Sequence, residues 1–248
     1  ALSIAYTPGV AEPCKAIAKN PADAYTYTMK ANTVAVVSDG SAVLGLGNIG
    51  PLAAMPVMEG KCVLFKEFGN INAVPICLDT QDTEEIIQAV KHIAPAFGGI
   101  NLEDISAPRC FEIEQRLKEI LNIPVFHDDQ HGTAIVVLAG IINALKVTGK
   151  QKKSCKVIIN GAGSAGIAIA RLLLAYGFTQ ITMCDKKGIL HKGYPDLNWM
   201  QQKMLESTNL NNTQGTLADA FVGADIFVGV SAPGIVSPEM VASMNKDA

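Results

Sequence analysis

The sequence predicts an α/β fold in two domains, each built on a mostly parallel sheet covered by helices. Three observations predict it. Short runs rich in valine and isoleucine alternate with stretches whose apolar residues recur at helical spacing, the pattern of strand–helix–strand units. The composition, 49% hydrophobic and 17% charged over 248 residues, supplies apolar surface for one large or two medium cores. A polar, basic stretch at Thr148–Cys155 separates two such series, which sets the domains at 1–148 and 149–248.

Each element has its own signal. Thr33–Ser38 and Ala42–Gly47 read as two strands joined by the turn signal Ser38-Asp39-Gly40-Ser41. Lys61–Lys66 and Ala73–Leu78 are two more apolar runs of strand length. From Thr83, the apolar residues Ile86, Ile87, Val90 and Ile93 repeat at helical spacing. Asp82 supplies an N-cap, and Glu84 and Glu85 suit the positive helix start. Phe111, Ile113, Leu117, Ile120 and Leu121 mark another helix, ended by Asn122 and the strand run Ile123–Phe126. A helix from about Gly132 to Val147 follows. Its apolar stretch Thr133–Leu145 is broken by Asn143, and no segment has 18 uninterrupted apolar residues. It therefore reads as a buried core helix, not a membrane span.

In the second series, Lys156–Asn160 is a strand and Ile167–Tyr176 a helix that Gly177 caps. Gln180–Cys184 is the next strand, with Asp185 at its end. Asp225–Val230 is a fourth-strand candidate, running into Ser231-Ala-Pro-Gly234.

Charge and cysteine usage narrow the function classes. The net charge is −3, and the one basic run, Lys146–Lys156, reads as a solvated linker, so nucleic acid is not an expected partner, and neither is a membrane. Six scattered cysteines without CxxC spacing point to a reducing, cytoplasmic setting and no disulfide framework. No secretory leader is read at the N-terminus, although the chain opens in mid-pattern at Ala1.

The strand Lys156–Asn160 leads directly into Gly161-Ala162-Gly163-Ser164-Ala165-Gly166 and then a helix. Each glycine of this GxGxxG has a mechanical role: a tight turn, close approach to pyrophosphate, and close helix–strand packing. The helix N-terminus offers N–H groups and a favourable dipole to the phosphates. Asp185, 24 residues after Gly161, stands where a carboxylate accepts hydrogen bonds from the ribose hydroxyls. The second domain is thus expected to be a Rossmann-type dinucleotide-binding domain. NAD is the expected cofactor, NADP being possible because Lys186 and Lys187 follow Asp185.

A second constellation lies in the first half. Glu103 and Asp104 are adjacent carboxylates in Gly98-Gly-Ile-Asn-Leu-Glu-Asp-Ile105, and Asp128 and Asp129 follow an apolar strand in Phe126-His-Asp-Asp-Gln-His-Gly-Thr133. Four carboxylates near strand ends repel one another unless a cation or proton intervenes. Oxygen-only ligands suit a hard divalent ion, Mg²⁺ or Mn²⁺. His127 and His131 have a spacing that also fits zinc, but crowding by carboxylates and the lack of cysteine partners favour structural histidines.

These stretches resemble the malic enzyme family in its shorter bacterial-type branch. The resemblance rests on Tyr6-Thr-Pro-Gly-Val-Ala-Glu-Pro13, Ser38-Asp-Gly-Ser-Ala-Val-Leu-Gly-Leu-Gly-Asn-Ile-Gly50, Met55-Pro-Val-Met-Glu-Gly-Lys61, both acidic segments and the glycine fingerprint. It runs from end to end and implies divalent-metal-dependent oxidative decarboxylation of L-malate to pyruvate and carbon dioxide by a homodimer. It implies Glu103, Asp104 and Asp129 as metal ligands, Lys61 as the general base and Tyr6 as the general acid. Asp128 would tune the proton relay beside them, and Ser231 would join the glycine fingerprint at the cofactor. A lysine base needs its pKa lowered from about 10.4, which burial or a nearby cation supplies.

The resemblance also implies that the second domain is incomplete at its C-terminus, because the family continues past Ala248 into a malate-binding segment. One departure is Asn72, where the family usually has an aspartate. Two other readings remain in view: a malolactic conversion of malate to lactate, and a sensor that binds NAD(P) without turnover. Placing the metal ligands in one domain and the cofactor in the other implies a hinge at or near Thr148–Cys155.

Overall fold

A computed structural model describes every residue except Leu44. Internal contacts divide the chain into two compact units, residues 1–105 with 112–126, and residues 106–111 with 127–248. In chain order the elements begin with helices α1 (Leu2–Ala5), α2 (Ala11–Lys19) and α3 (Ala24–Tyr27), then β1 (Thr33–Ser38). Next come α4 (Pro51–Gly69), β2 (Asn72–Cys77), α5 (Thr83–Ile93), β3 (Gly99–Leu102), α6 (Arg109–Ile120) and β4 (Val125–His127). They continue with α7 (Asp128–Thr148), β5 (Lys156–Asn160), α8 (Ser164–Tyr176), β6 (Gln180–Asp185), β7 (Gly188–Ile189), α9 (Trp199–Met204), α10 (Leu217–Phe221), β8 (Ile226–Gly229) and α11 (Pro238–Ala242).

The first sheet has the order β2-β1-β3-β4, with β1 parallel to both β2 and β3. β1 is the valine-rich run that lies between two strands, and Ala35, Val36 and Val37 are completely buried, as a parallel strand covered on both faces requires. Ile86, Ile87 and Val90 of α5 are buried, so the helical spacing read from the sequence marks the face turned to the core. Because β1 and β3 are parallel, Asp39 and the pair Glu103–Asp104 leave the sheet at its carboxyl edge, where open α/β sheets hold their ligands. The second sheet has the order β7-β6-β5-β8, with β5 parallel to β6 and β8 and the short β7 antiparallel to β6.

Two expected strands take other forms. Lys61–Lys66 lies inside α4. Pro51, Pro56 and Gly60 weaken the helical pattern, and Val63 and Phe65 favour strand, but packing decides: Ala54 and Met58 are buried and α4 lies along β1 and β2. A prolyl residue is tolerated at the first turn, where Pro51 sits, and Pro56 is the one interior exception. Ala42–Gly47 is not a strand either. Val43 and Gly47 exchange backbone hydrogen bonds and close a tight loop, within which Leu44 lies outside the described residues. Asn72, at the start of β2, accepts a hydrogen bond from Lys66 Nζ at 3.2 Å.

α7 corrects the sequence reading in two ways. It starts at Asp128, four residues before the expected Gly132, because two acidic residues suit the positive end of a helix. It is also not a buried core helix. Only Gln130, Ala134 and Ile141 are buried, and Ile135, Val136 and Val147 are exposed, since one side packs on α8 and the other has no cover. By length and composition α7 is long and apolar enough to cross a membrane, a test that core helices of globular proteins also pass.

The Thr148–Cys155 segment is largely exposed, as a solvated run should be, yet two of its lysines are tied down. Lys150 Nζ pairs with Asp225 at 2.8 Å, and Lys152 Nζ reaches the Tyr176 carbonyl at 2.5 Å while lying 4.1 Å from that ring's centre. These ties fasten the segment to the unit that holds β5 and α8.

The N-cap read at Asp82 is present: its Oδ1 accepts the Glu85 N–H at 2.9 Å. Replacing it tests the local argument. Asp82→Ala should cost about 1 kcal/mol, seen as a lower denaturant midpoint at unchanged slope, whereas Asp82→Ser should stay near wild type. An equal loss in both would show that the cap is not what matters.

Candidate functional site

In a strand, consecutive side chains point to opposite faces, so Glu103 and Asp104 would diverge if β3 continued. It does not. β3 ends at Leu102, the Glu103 N–H donates to the Val37 carbonyl at 2.9 Å, and Asp104 turns left-handed at φ +53°. Aspartate tolerates that region better than most residues. The Asp104 carbonyl then accepts the Ala42 N–H at 3.0 Å, which fixes the turn. As a result the two carboxylates come within 4.8 Å of each other, although Glu103 is 5% and Asp104 4% exposed.

Lys61 meets this pair from α4. Its Nζ stands 3.1 Å from Glu103 Oε1, with 20% of the lysine side chain exposed. The other oxygen, Glu103 Oε2, accepts Asn101 Nδ2 at 2.8 Å. The helix that replaced the expected strand at 61–66 is therefore what carries Lys61 to the carboxylates. Beside them, the buried Asp39 holds its own loop, accepting the Ser41 N–H at 3.0 Å.

The other members are carried by other elements. Tyr6 follows α1 and is 74% exposed. Among the described residues its hydroxyl has no hydrogen-bond partner in this chain. Asp128 and Asp129 lie in the first turn of α7. The Asp128 carboxylate folds over Gly132, where a Cβ would meet Oδ1 at 2.5 Å. His127 is fully buried, with Nδ1 3.9 Å from Asp129 Oδ2, too far for a hydrogen bond between them.

The glycine fingerprint folds as its spacing requires. Gly161 has φ +119°, donates its N–H to the Cys184 carbonyl, and leaves only 2.6 Å between a would-be Cβ and the Val230 carbonyl oxygen. Gly166 is tighter still: a Cβ there would stand 1.7 Å from the Gly161 carbonyl oxygen. Between them, Ala162 is buried and accepts Gln201 Nε2 at 3.1 Å. Gly163 is the N-cap of α8 and brings no side chain to its first turn, so the N–H groups from Ser164, Ala165 and Gly166 face no cap of the protein's own.

Beyond the strand ends lies a cavity of 330 Å³, lined among others by Asn160, Asp185, Lys186, Lys187, Thr216 and Ser231. Asn160 Nδ2 donates to Ser231 Oγ at 2.8 Å and joins the ends of β5 and β8. Asp185 Oδ1 accepts the Lys187 N–H at 2.7 Å, and Lys187 Nζ pairs with Asp196 at 3.0 Å. Asn101, Asn160 and Gln201 were not singled out in the sequence. The first two carried a signal, since an asparagine inside an apolar strand run needs a buried partner.

Comparison with known proteins follows the two halves of the chain. Residues 1–118 match the family described as malic enzyme, N-terminal domain, and residues 130–248 match malic enzyme, NAD binding domain. The NAD-dependent malic enzyme of Geobacillus stearothermophilus is 62% identical over 246 residues, which is 99% of this chain and 52% of that protein. The bifunctional malic/malolactic enzyme of Bacillus subtilis is 58% identical over 99% of this chain and 60% of its own length. The crystal structure of the NAD-dependent malic enzyme from Thermotoga maritima superposes with a TM-score of 0.95 at 53% identity, covering 98% of this chain and 65% of that one. The chain thus spans between 52% and 60% of the length of these two curated relatives.

All six cysteines are free, and Cys184, next to Asp185, is fully buried. Burial, with the Asp185 charge adding to it, pushes its thiol up to about 12. A raised folded-state value means that the folded protein holds this proton more tightly than the unfolded chain. Its contribution to stability is complete below the ordinary value of 9.0 and is lost as pH rises from there toward about 12. At pH 8 iodoacetamide should therefore label the exposed Cys14 and leave Cys184 untouched until denaturant is added, as read by peptide mass spectrometry. Labelling of Cys184 in the folded protein at the rate of Cys14 would contradict this.

Proposed function

The chain belongs to the malic enzyme family, and on that premise we propose that the protein oxidatively decarboxylates L-malate to pyruvate and carbon dioxide with reduction of NAD, aided by Mg²⁺ or Mn²⁺. Residues 1–148 supply the metal and acid–base groups in this reading, and 149–248 the dinucleotide site. The observation that carries it is the cluster of Lys61 against Glu103, with Asp104 turned to the same place. Two buried carboxylates this close need positive charge nearby, and an all-oxygen donor set fits a hard divalent ion. In the second unit, the glycine-built turn at the start of α8 and the cavity beside Asp185 fit a dinucleotide.

Glu103, Asp104 and Asp129 would hold the ion, and Gly161 to Gly166, Asp185 and Ser231 the dinucleotide. Bound there, the dinucleotide would supply a hydride acceptor for C2 of malate and the ion a Lewis acid for its C2 oxygen. Lys61 takes the proton of the C2 hydroxyl. The C3–C4 bond then breaks to release carbon dioxide, and Tyr6 donates the proton that enolpyruvate needs at C3. Asp128, held over Gly132, tunes the relay. The protein acts in the cytoplasm as a homodimer in this proposal, with no nucleic acid or membrane as partner. The Bacillus subtilis relative, whose name includes a malolactic activity, favours one second reading, in which the product is lactate. Product analysis separates pyruvate with free NADH from lactate.

Two measurements test the proposal on the full-length protein. NADH formation followed at 340 nm with malate should vanish on adding EDTA and return with Mg²⁺ or Mn²⁺. Lys61→Ala should lower the rate by about 10²–10⁴-fold, the usual weight of a general base. Near-normal turnover in EDTA would remove the metal assignment.

The cofactor choice follows from Asp185. One of its oxygens is taken by the Lys187 N–H, and Lys187 is drawn toward Asp196, which leaves the second oxygen for the ribose hydroxyls and leaves repulsion against a 2′-phosphate. A serine keeps the turn, since its hydroxyl accepts the same N–H. Asp185→Ser should therefore move the kcat/KM ratio toward NADP by about tenfold, or about 1.4 kcal/mol. An unmoved ratio would pass the selection to Lys186 and Lys187.

A further inference from the structure

Asn101 is out of place by every local rule. It stands in β3 between Ile100 and Leu102, which are 2% and 0% exposed, and is itself 3% exposed. Asparagine is depleted in strands, and a buried amide costs free energy unless it is hydrogen-bonded. Its register partner is the fully buried Val36 of β1, which offers no side-chain partner. The amide instead turns along its own strand. Residues two apart share a face, and Asn101 Nδ2 donates to Glu103 Oε2 at 2.8 Å.

Each oxygen of Glu103 therefore has its own holder: Asn101 takes Oε2 and Lys61 takes Oε1 at 3.1 Å. The last torsion of a glutamate is otherwise broad and soft. With two holders, from a rigid strand and a helix, the carboxylate plane is fixed. We propose that Asn101 is a positioning residue for Glu103, setting the carboxylate plane so that Glu103, with Asp104, meets a divalent cation without first reorganising. The proposal rests on the reading of Glu103 and Asp104 as metal ligands. It adds that the strength of cation binding is set from a neighbour that does not itself bind the ion.

The test is direct titration of full-length protein with Mn²⁺, following the electron paramagnetic resonance signal of the free ion. Asn101→Val suits a buried strand and removes the donor. Asn101→Ser makes a smaller change and leaves no group long enough to reach Oε2. Asn101→Gln keeps an amide on a longer stem. Losing an outer partner of a metal ligand commonly weakens binding by about 10–100-fold. Both Asn101→Val and Asn101→Ser should show a weakening of that size, and Asn101→Gln should recover most of it. Thermal unfolding without metal identifies any variant that is misfolded, and the serine variant stands if valine fails. Folded valine or serine variants that bind Mn²⁺ like wild type would overturn the positioning role while leaving the metal reading intact. Equal weakening in Asn101→Gln would overturn it too, pointing to strand packing alone. Wild-type protein that binds no Mn²⁺ would overturn both.

Discussion

Glu103 and Asp104 are carboxylates of like charge, nearly sealed from water and within 4.8 Å of each other. At an effective dielectric near 20 such a pair repels by about 3 kcal/mol or more. Much of the first unit makes sense as the answer to that repulsion. β3 stops one residue before Glu103, Asp104 takes a left-handed turn held by Ala42, and Lys61 brings a cation from α4 to one oxygen of Glu103. Hydrophobic burial builds the sheet, but it is charge that dictates how the sheet ends.

The second unit meets the opposite problem. Here the constraint is space, and glycine is the answer to it. Gly166 lets α8 start against the Gly161 carbonyl, and Gly161 lets the turn pass the end of β8. Those approaches set the first turn of α8 directly after β5, whose last residue, Asn160, lines the same cavity as Asp185. Asn160 and Ser231 tie β5 to β8 across the same edge. Polar groups without net charge do here what Lys61 does in the first unit.

The fold was legible wherever local pattern and tertiary packing agree. The second parallel sheet, α5 with its Asp82 cap, and α8 with its Gly177 cap follow the periodicity of the sequence closely. The pattern misled at α4, where two prolines, Gly60 and a valine–phenylalanine run spell a strand and burial against β1 and β2 overrides them. It misled again at α7, whose apolar length suggested a core helix though one side stays open. The acidic pair and Lys61 could be named from their motifs, but not the contact between them, which needs α4 to be a helix. Asn101 was not singled out, although an asparagine between Ile100 and Leu102 needs a buried partner. Only its burial at the side of Glu103 gives it meaning.

The central claim is that the carboxyl edge of the first sheet is built to hold a divalent cation. Crystals of the full-length protein grown with Mn²⁺ test it most directly, through an anomalous difference map collected at the manganese edge. The account predicts a peak within coordination distance of the Glu103 and Asp104 carboxylates, with Asn101 still bonded to Glu103. A map with no peak there, or with its strongest peak at a site that touches neither carboxylate, would contradict it.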